Sequence, residues 1–239
     1  MSVKMHELIR LRDKKFVFED REEAGKVLAD MLSPFYQEKS DRVVVLAIPS
    51  GGVPVGIQIA LGLSLPLDLL IVRKVPIPGN PEAGIGALTI DGGLYLNEQL
   101  ISYLHLTPED VEAQILKVKE ELKERNRVFR QGRPSPDVAE KTVILADDGL
   151  ASGYTMLASV DTVRKKGAGK VVVAVPTSSE QAKVRLGELA DEIYCPNFRT
   201  EHYYAVAESY RNWYDLDRND VIRLLSTLPE NIYPGHGNH

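Results

Sequence analysis

The chain alternates short apolar runs with amphipathic segments along most of its length. The apolar runs are rich in β-branched residues and do not alternate with polar residues, which is typical of strands buried on both faces of a parallel sheet. The runs that predict strands are residues 42–48, 67–72, 142–146, 170–175 and 191–195. The segments that predict helices are residues 20–35, 53–61, 107–130, 153–166, 180–189 and 217–228. Strands that alternate with helices in this way predict an α/β fold with a mainly parallel sheet.

The regular pattern stops after residue 74, where the second predicted strand ends. Residues 75–83 are rich in Pro and Gly and poor in core-forming side chains, so they predict an irregular loop. Two short apolar stretches then flank the sequence Asp-Gly-Gly at 91–93, which predicts a hairpin. The Thr-Pro pair at 107–108 is typical of a helix start. We therefore expect a hairpin and a long helix inserted between the second and third strands.

Composition narrows the class of protein. With 239 residues, 44% of them hydrophobic, the chain can bury a substantial core, and its length fits one large domain or two small ones. The net charge of −5 argues against nonspecific nucleic-acid binding, which needs an excess of positive charge. Cys195 is the single cysteine of the sequence, which excludes an intrachain disulfide and a cluster of thiolate ligands.

One segment requires a test for membrane insertion. Residues 43–67 contain no charged side chain and are long enough to span a bilayer. They include three prolines and four glycines in the pattern of a strand, a turn and a short helix, so we reject a membrane span. The N-terminal residues 1–10 lack the apolar stretch of a secretory signal, and we expect the protein to act in the cytoplasm.

The segment 142–155 (TVILADDGLASGYT) contains the most informative polar residues. An apolar strand ends in Asp147 and Asp148, and a loop of small residues then opens a helix. Adjacent carboxylates at the carboxyl end of a strand can accept hydrogen bonds from vicinal hydroxyls. The loop offers backbone amides, the hydroxyls of Ser152 and Thr155, and a helix N-terminus, which together predict a phosphate site. Diol acceptors beside a phosphate site predict a ribose 5-phosphate.

The same segment also permits simpler interpretations. An acid pair at a strand end also caps a loop or binds Mg²⁺ without any sugar, and a strand–turn–helix with glycine is weakly specific on its own. The segment matches neither the Gly-x-x-x-x-Gly-Lys-Ser/Thr pattern of nucleoside triphosphatases nor the Gly-x-Gly-x-x-Gly dinucleotide pattern. The joint occurrence of apolar strand, acid pair and Ser-Gly-x-Thr is more specific than its parts.

Residues 143–155 resemble the phosphoribosyl pyrophosphate motif of type I phosphoribosyltransferases. Residues 48–52 (IPSGG) stand where that family has its pyrophosphate loop, and the Arg-Lys pair at 73–74 resembles the basic pair before its mobile catalytic loop. The sequence is most similar to a bacterial and archaeal branch of predicted phosphoribosyltransferases, recognised by IPxGGVPV, VRKxxxPGNPE, GIGA and VILVDDGxATGxTM. The resemblance covers roughly residues 18–225.

The resemblance implies a fold, a reaction and a cofactor. The implied fold is a single domain over 1–239, with a core at about 20–195 formed by a Rossmann-like, mainly parallel sheet flanked by helices. A small hood is built from about 1–18 and 195–214. The reaction transfers ribose 5-phosphate from phosphoribosyl pyrophosphate to a nucleobase-like acceptor and releases pyrophosphate, with Mg²⁺ as cofactor. Relatives are commonly dimers, so a homodimer is expected. Residues 75–85 are expected to be mobile without ligand and to close as a lid.

The resemblance also assigns roles to particular residues. Asp147 and Asp148 hold the ribose hydroxyls, directly or through Mg²⁺ or water, while Arg73 and Lys74 face the leaving pyrophosphate. The amides of Ser50, Gly51 and Gly52 hold the pyrophosphate, and Ala151, Ser152, Gly153, Tyr154 and Thr155 anchor the 5-phosphate. Aromatic candidates for stacking on the acceptor are Phe198, Tyr203, Tyr204, Tyr210, Trp213 and Tyr214.

Three positions depart from the pattern of this branch. Ser152 stands where Thr is usual and keeps the hydroxyl, Ser50 stands where the branch usually has Arg, and Tyr154 stands where Ala or Gly is expected. Ala151 stands at the position where enzymes for 6-oxopurines typically have Asp, so the resemblance implies an acceptor closer to adenine or orotate. Ser50 and Tyr154 permit a second hypothesis, a non-catalytic module that senses nucleotides or phosphoribosyl pyrophosphate. A third hypothesis, a Mg²⁺-dependent phosphohydrolase, lacks an aspartyl nucleophile motif.

Overall fold

The computed structural model describes residues 3–131, 133–201 and 204–234. Its strands, in chain order, are β1 (Lys4–His6), β2 (Val43–Ala47), β3 (Leu67–Leu69), β4 (Val72–Ile77), β5 (Asn80–Thr89), β6 (Leu94–Leu96), β7 (Thr142–Ala146), β8 (Lys170–Ala174), β9 (Thr177–Ser179), β10 (Glu192–Tyr194) and β11 (Asn197–Arg199). Its α-helices are α1 (Arg21–Tyr36), α2 (Gly52–Leu63), α3 (Glu98–Tyr103), α4 (Pro108–Arg130), α5 (Tyr154–Lys165), α6 (Glu180–Leu186) and α7 (Arg218–Ser226).

A six-stranded sheet in the order β1-β10-β8-β7-β2-β3 forms the centre, and every pairing in it is parallel. Side chains of β2 alternate between the two faces, as the period of a strand requires. Val43 and Val45 enter one core with α1, α2, α4 and α7, while Val44 and Leu46 enter the other with α5 and α6. The prediction of a parallel sheet with helices on both faces is confirmed.

The segment after β3 corrects the sequence prediction. The second strand ends at residue 69, and the Arg-Lys pair at 73–74 lies inside β4, which pairs antiparallel with β5. Residues 75–83, predicted as an irregular loop, form the end of β4, the turn and the start of β5. Its prolines are accommodated because the register shifts on both sides of Pro76, and Val75 and Ile85 are fully buried at its base.

The other inserted elements follow their sequence signals more closely. The predicted hairpin around 91–93 is formed by β5 and β6. Helix α4 begins with a capping box in which Thr107 and Asp110 bond reciprocally to each other's backbone amides, and it ends at Arg130 as predicted. Helix α3 has no counterpart among the predicted elements, because six residues give too short a pattern to detect.

The two chain ends meet beside the carboxyl end of the sheet. The amides of Asp13 and Phe16 donate hydrogen bonds to the carbonyls of Phe198 and Glu208, at 3.0 and 2.8 Å. Strand β1, near the start of the chain, extends the central sheet beside β10. The division of the chain into core and hood stays a prediction, and residues 1–2 lie outside the described ranges.

The uncharged segment 43–67 contains β2, α2 and the first residue of β3. Within the part of the chain that the structure describes, none of the helices combines the length and apolar character needed to cross a membrane.

Candidate active site

A cleft of about 600 Å³ lies at the carboxyl ends of β2 and β7. Ligands bind at this edge of open α/β sheets because loops and helix N-termini converge there. The cleft brings together predicted site residues from three separate segments of the chain. They are Ser50, Gly51, Arg73, Lys74, Asp147, Asp148 and Thr155.

The turn after β2 packs directly against the end of β7. A Cβ atom on Gly51 would lie 2.0 Å from Oδ2 of Asp148, and one on Gly52 would lie 2.6 Å from the carbonyl oxygen of Ala146. No side chain fits at either position without a shift of its neighbours. Glycine therefore lets the backbone of the turn reach the acid pair, which is the close approach that a pyrophosphate loop requires.

The acid pair is unfavourably placed for two negative charges. Burial and the neighbouring Asp148 raise the pKa of Asp147 well above the ordinary range of aspartate. Burial also raises the pKa of Asp148, and the guanidinium of Arg21 opposes part of that rise. A cation or a pair of hydroxyl donors between the carboxylates would relieve this repulsion.

The donor set fits Mg²⁺ only together with oxygen atoms from a substrate. Within the described ranges, no group of three or more His, Cys, Asp or Glu side chains is close enough to hold a metal ion. Mg²⁺ is commonly bound through one or two carboxylates, waters and the phosphates of a substrate, and Asp147 and Asp148 offer the carboxylates of such a site.

Arg21 contacts the acid pair and was not found from the sequence. Its side chain is only 5% exposed, and its Nε donates a hydrogen bond to Oδ2 of Asp148 at 2.8 Å. Its Nη1 donates to the carbonyl of Tyr214 at 2.8 Å, and the guanidinium lies 3.9 Å from the ring centre of Trp213. A cation in the first turn of a helix opposes the helix dipole, and this was the available signal that Arg21 serves another purpose.

The loop after the acid pair has the geometry of a phosphate site. Gly153 is the N-cap of α5 with φ of +81° and provides no side-chain cap. The first amides of α5 have no carbonyl one turn earlier to bond, so they are available to an anion. The loop carbonyls point elsewhere: that of Ala151 accepts from Ser179 Oγ at 2.6 Å, and that of Ser152 accepts from Arg185 Nη1 at 2.7 Å.

The ring of Tyr154 lies away from the cleft. It packs 6.0 Å from the ring of Tyr95 on β6, and the guanidinium of Arg185 lies 5.1 Å from its centre. Among the described residues that line the cleft, the loop is represented by Thr155 and not by Tyr154. The large side chain therefore leaves the entrance to the phosphate loop open.

Basic side chains from β4 and α4 line the cleft. Arg73 is paired with Glu121 of α4, with its Nη2 donating at 2.6 Å. Lys74 lines the same wall. Sequence reasoning missed Arg125, whose Nη2 lies 3.4 Å from Oγ of Ser50. The turn after β2 is thus faced by cations from both β4 and α4.

The aromatic candidates occupy different environments. Phe198 is 1% exposed and lies in the core, so it cannot stack on an acceptor, and we withdraw it from the candidate site. Tyr204 bonds Thr177 through its hydroxyl at 2.8 Å and lines a second pocket of about 240 Å³, which it shares with Ala151. Tyr203 lies outside the described residues.

Trp213 and Tyr210 link the C-terminal segment to the surroundings of the acid pair. Trp213 lines the cleft and covers Arg21. The hydroxyl of Tyr210 donates to the carbonyl of Asp148 at 2.5 Å, and burial raises the pKa of Tyr210, so it stays a donor. These contacts join the C-terminal segment to the end of β7.

Comparison with known proteins identifies the family. A model of the phosphoribosyl transferase domain matches residues 18–206. Rv0571c of Mycobacterium tuberculosis, whose name assigns it provisionally as a phosphoribosyl transferase, is 36% identical over 209 residues. That match covers 87% of this chain but 46% of the relative, so the chain spans about half the length of this curated relative.

A solved structure agrees with the family match. The crystal structure of TT1426 from Thermus thermophilus is 35% identical in sequence and superposes with a TM-score of 0.70. The match covers 87% of this chain and 97% of that one. The chain therefore belongs to the phosphoribosyl transferase domain family, which confirms the resemblance seen in its motifs.

Proposed function

We propose that this protein transfers ribose 5-phosphate from phosphoribosyl pyrophosphate to a nucleobase-like acceptor and releases pyrophosphate. One observation supports this most strongly. A single cleft contains the acid pair, a glycine turn packed against it, a helix N-terminus without a side-chain cap and several cations. These groups offer binding partners for a ligand that carries a phosphate, a diol and a pyrophosphate.

Each part of the cleft would bind one part of that ligand. The amides at the start of α5 and the hydroxyl of Thr155 anchor the 5-phosphate. The turn at 50–52, together with Arg73 and Lys74, holds the pyrophosphate. Binding at both ends fixes the ribose C1 between them, so the acceptor meets an oriented electrophile.

In the reaction the bond from C1 to the pyrophosphate oxygen breaks, and its electron pair leaves with pyrophosphate. The lone pair of an acceptor nitrogen forms the new bond to C1, and the acceptor proton passes to solvent or to a base. The ribosyl group carries positive charge in the transition state, so Asp147 and Asp148 stabilise it more than they stabilise the substrate.

The proposed cofactor is Mg²⁺, held by Asp147 and Asp148 directly or through ribose hydroxyls and water. When bound, Mg²⁺ neutralises negative charge on the pyrophosphate leaving group. Asp147 is buried beside the carboxylate of Asp148, and both the burial and the neighbouring charge raise the pKa of Asp147, which supports a cation at this position.

The acceptor would bind beside Ala151 and the C-terminal segment. Ala151 cannot accept a hydrogen bond through its side chain, so acceptors such as hypoxanthine and guanine are less favoured than adenine or orotate. The role in nucleotide metabolism, the cytoplasmic location and the homodimer stay predictions.

A sensing module is the second candidate, and the Arg21 contact favours it. In the protein alone, Asp148 is already bonded to Arg21, which neutralises one of the two catalytic charges. A protein that kept this pair would bind phosphoribosyl pyrophosphate without driving its cleavage. A measurement of pyrophosphate release distinguishes the sensing module, which would release none, from the transferase.

Replacing either carboxylate tests the enzyme directly. We expect Asp147→Asn and Asp148→Asn each to raise the activation free energy of turnover by about 2–4 kcal/mol, which lowers kcat roughly 30- to 1000-fold. This loss should exceed the loss of ribose 5-phosphate affinity in the same variants. Asp41→Asn removes an exposed carboxylate that pairs with Arg42 outside the cleft, and it should leave kcat unchanged. Equal kcat in the wild type and all three variants would contradict the proposed role of the acid pair.

A further inference from the structure

Arg125 approaches the pyrophosphate turn from a distant part of the chain. It lies on α4, and its Nη2 is 3.4 Å from Oγ of Ser50 although 75 residues separate the two. It lines the same cleft as Arg73 and Lys74. The small Ser50 side chain leaves room for the guanidinium at the mouth of the turn.

The carboxylates nearest Arg125 on α4 are engaged by other cations. Glu121 accepts two hydrogen bonds from Arg73, at 2.6 and 3.1 Å. Glu124 pairs with Arg127 at 2.9 Å and with Arg218 at 3.3 Å. The charge of Arg125 is therefore not balanced by a close carboxylate within the described ranges.

One donor of Arg125 is buried and unused. Its Nε is shielded from solvent and has no hydrogen-bond partner among the described residues. The guanidinium lies 5.2 Å from the ring of Phe129, which supports its flat face but accepts no conventional hydrogen bond. Buried donors are normally bonded, so an unused one beside a polar cleft indicates a missing acceptor.

The electrostatic surroundings favour an anion at this position. Burial lowers the pKa of Arg125 most, Arg73 and Arg218 lower it further, and Glu121 opposes part of this shift, so the charge of the guanidinium is only partly compensated at this position. The guanidinium remains charged because the pKa of arginine is far above neutrality. A multiply charged anion between Arg125 and Arg73 would relieve the repulsion between them.

We propose that Arg125 binds the pyrophosphate group of the substrate directly, beside the turn at 50–52. The planar fork of a guanidinium matches two phosphate oxygens, so this contact both holds pyrophosphate and stabilises it as it leaves. The inference rests on the proposed function, and it assigns a binding residue that the motifs do not contain.

Binding of inorganic pyrophosphate with Mg²⁺, measured by calorimetry, tests this contact. Arg125→Gln should weaken pyrophosphate binding about tenfold or more, because a charge-assisted contact is lost. Arg125→Lys should restore part of the affinity. Arg127→Gln removes an exposed cation on the same helix that pairs with Glu124, and it should bind pyrophosphate as the wild type does.

Two further measurements distinguish a direct contact between Arg125 and pyrophosphate from an indirect effect in which Arg125 only positions the turn at 50–52. Ribose 5-phosphate binds at the opposite end of the cleft, so its affinity should be unchanged in Arg125→Gln, which also shows that the variant is folded. Ser50→Ala keeps the guanidinium and removes its contact with the turn, and it should weaken pyrophosphate binding by less than about threefold. A loss in Ser50→Ala equal to that in Arg125→Gln would show that Arg125 only positions the turn and would overturn the direct contact.

The results also distinguish this inference from the proposed function. If the wild type binds pyrophosphate and Arg125→Gln binds it equally well, the Arg125 contact is wrong and the proposed function stands. If the wild type binds neither pyrophosphate nor ribose 5-phosphate, both are wrong.

Discussion

At the scale of single residues, local motifs predict some of the site and tertiary contacts supply the rest. Asp147 and Asp148 follow a recognisable strand, so the sequence alone locates them at the end of the sheet. Arg21 meets Asp148 across 127 residues and Arg125 meets Ser50 across 75, and no periodic pattern predicts such pairings. Sequence reasoning therefore found the anions and turns of the site but missed two of its cations.

The acid pair should reduce the stability of the protein without ligand. The folded pKa of Asp147 is raised, so the charged form is disfavoured in the folded state and costs stability at neutral pH. Asp147→Asn removes the charge and keeps an oxygen for the hydrogen bond that Oδ1 now accepts from the Asp148 amide at 2.9 Å. We expect this variant to be more stable than wild type by about 1 kcal/mol, or roughly 2–4 °C in Tm.

The pH dependence of that difference checks its cause. The wild type should have a lower free energy of unfolding than Asp147→Asn above the folded pKa of Asp147. This difference should shrink as pH falls through that pKa and vanish below the ordinary pKa of aspartate. Thermal unfolding of both proteins at several pH values measures it. A wild type that is more stable than Asp147→Asn at neutral pH would contradict this account of the acid pair.

At the scale of elements, a helix or strand can be predicted from the sequence when it is long enough to show a periodic pattern. The long α4 and the buried strands β2, β7 and β8 have enough residues to show a pattern, and each was predicted within one or two residues. The three-residue strands β1, β9 and β11 exist because neighbouring strands supply their hydrogen bonds, which no local pattern encodes. The β4–β5 hairpin was missed because its Pro and Gly content is typical of a loop.

The β4–β5 hairpin gives the predicted lid a defined shape. Val75 and Ile85 are fully buried at its base, while Gly79 at its tip has open space around it. In hydrogen exchange we expect protected amides at the base and fast exchange at 77–82 without ligand, because the tip has few core contacts. Phosphoribosyl pyrophosphate with Mg²⁺ should slow exchange at the tip. Strong protection of the tip in the free protein, unchanged by ligand, would exclude a lid.

The start of α5 should be sensitive to negative charge. Gly153→Asp places a carboxylate at the helix N-terminus where the phosphate is proposed to bind, and we expect ribose 5-phosphate affinity to fall by about tenfold or more. Gly92→Asp is a matched control, because Gly92 also has a positive φ, of +88°, and lies in open space. Titration of ribose 5-phosphate compares the two, and an equal affinity in both variants would count against the phosphate site.

At the scale of the whole molecule, the fold explains why distant residues share one cleft. All six strands of the central sheet run in the same direction, so the loops after β2 and β7 emerge at one edge. The sequence predicted this arrangement because strand and helix periods alternate along the chain. It could not predict how the C-terminal segment covers the acid pair, since the contacts of Arg21 with Trp213 and Tyr214 form only after the chain ends meet.

The most direct test of the proposed function is pyrophosphate release from phosphoribosyl pyrophosphate with Mg²⁺ across a panel of bases that includes adenine, orotate, hypoxanthine and guanine. We predict release that depends on one of these bases, with adenine or orotate preferred over hypoxanthine and guanine because Ala151 lacks a carboxylate. Release should be strongly reduced in Asp147→Asn. If the wild type binds phosphoribosyl pyrophosphate with Mg²⁺ but releases no pyrophosphate with any base, the transferase account is contradicted and the protein is a sensing module.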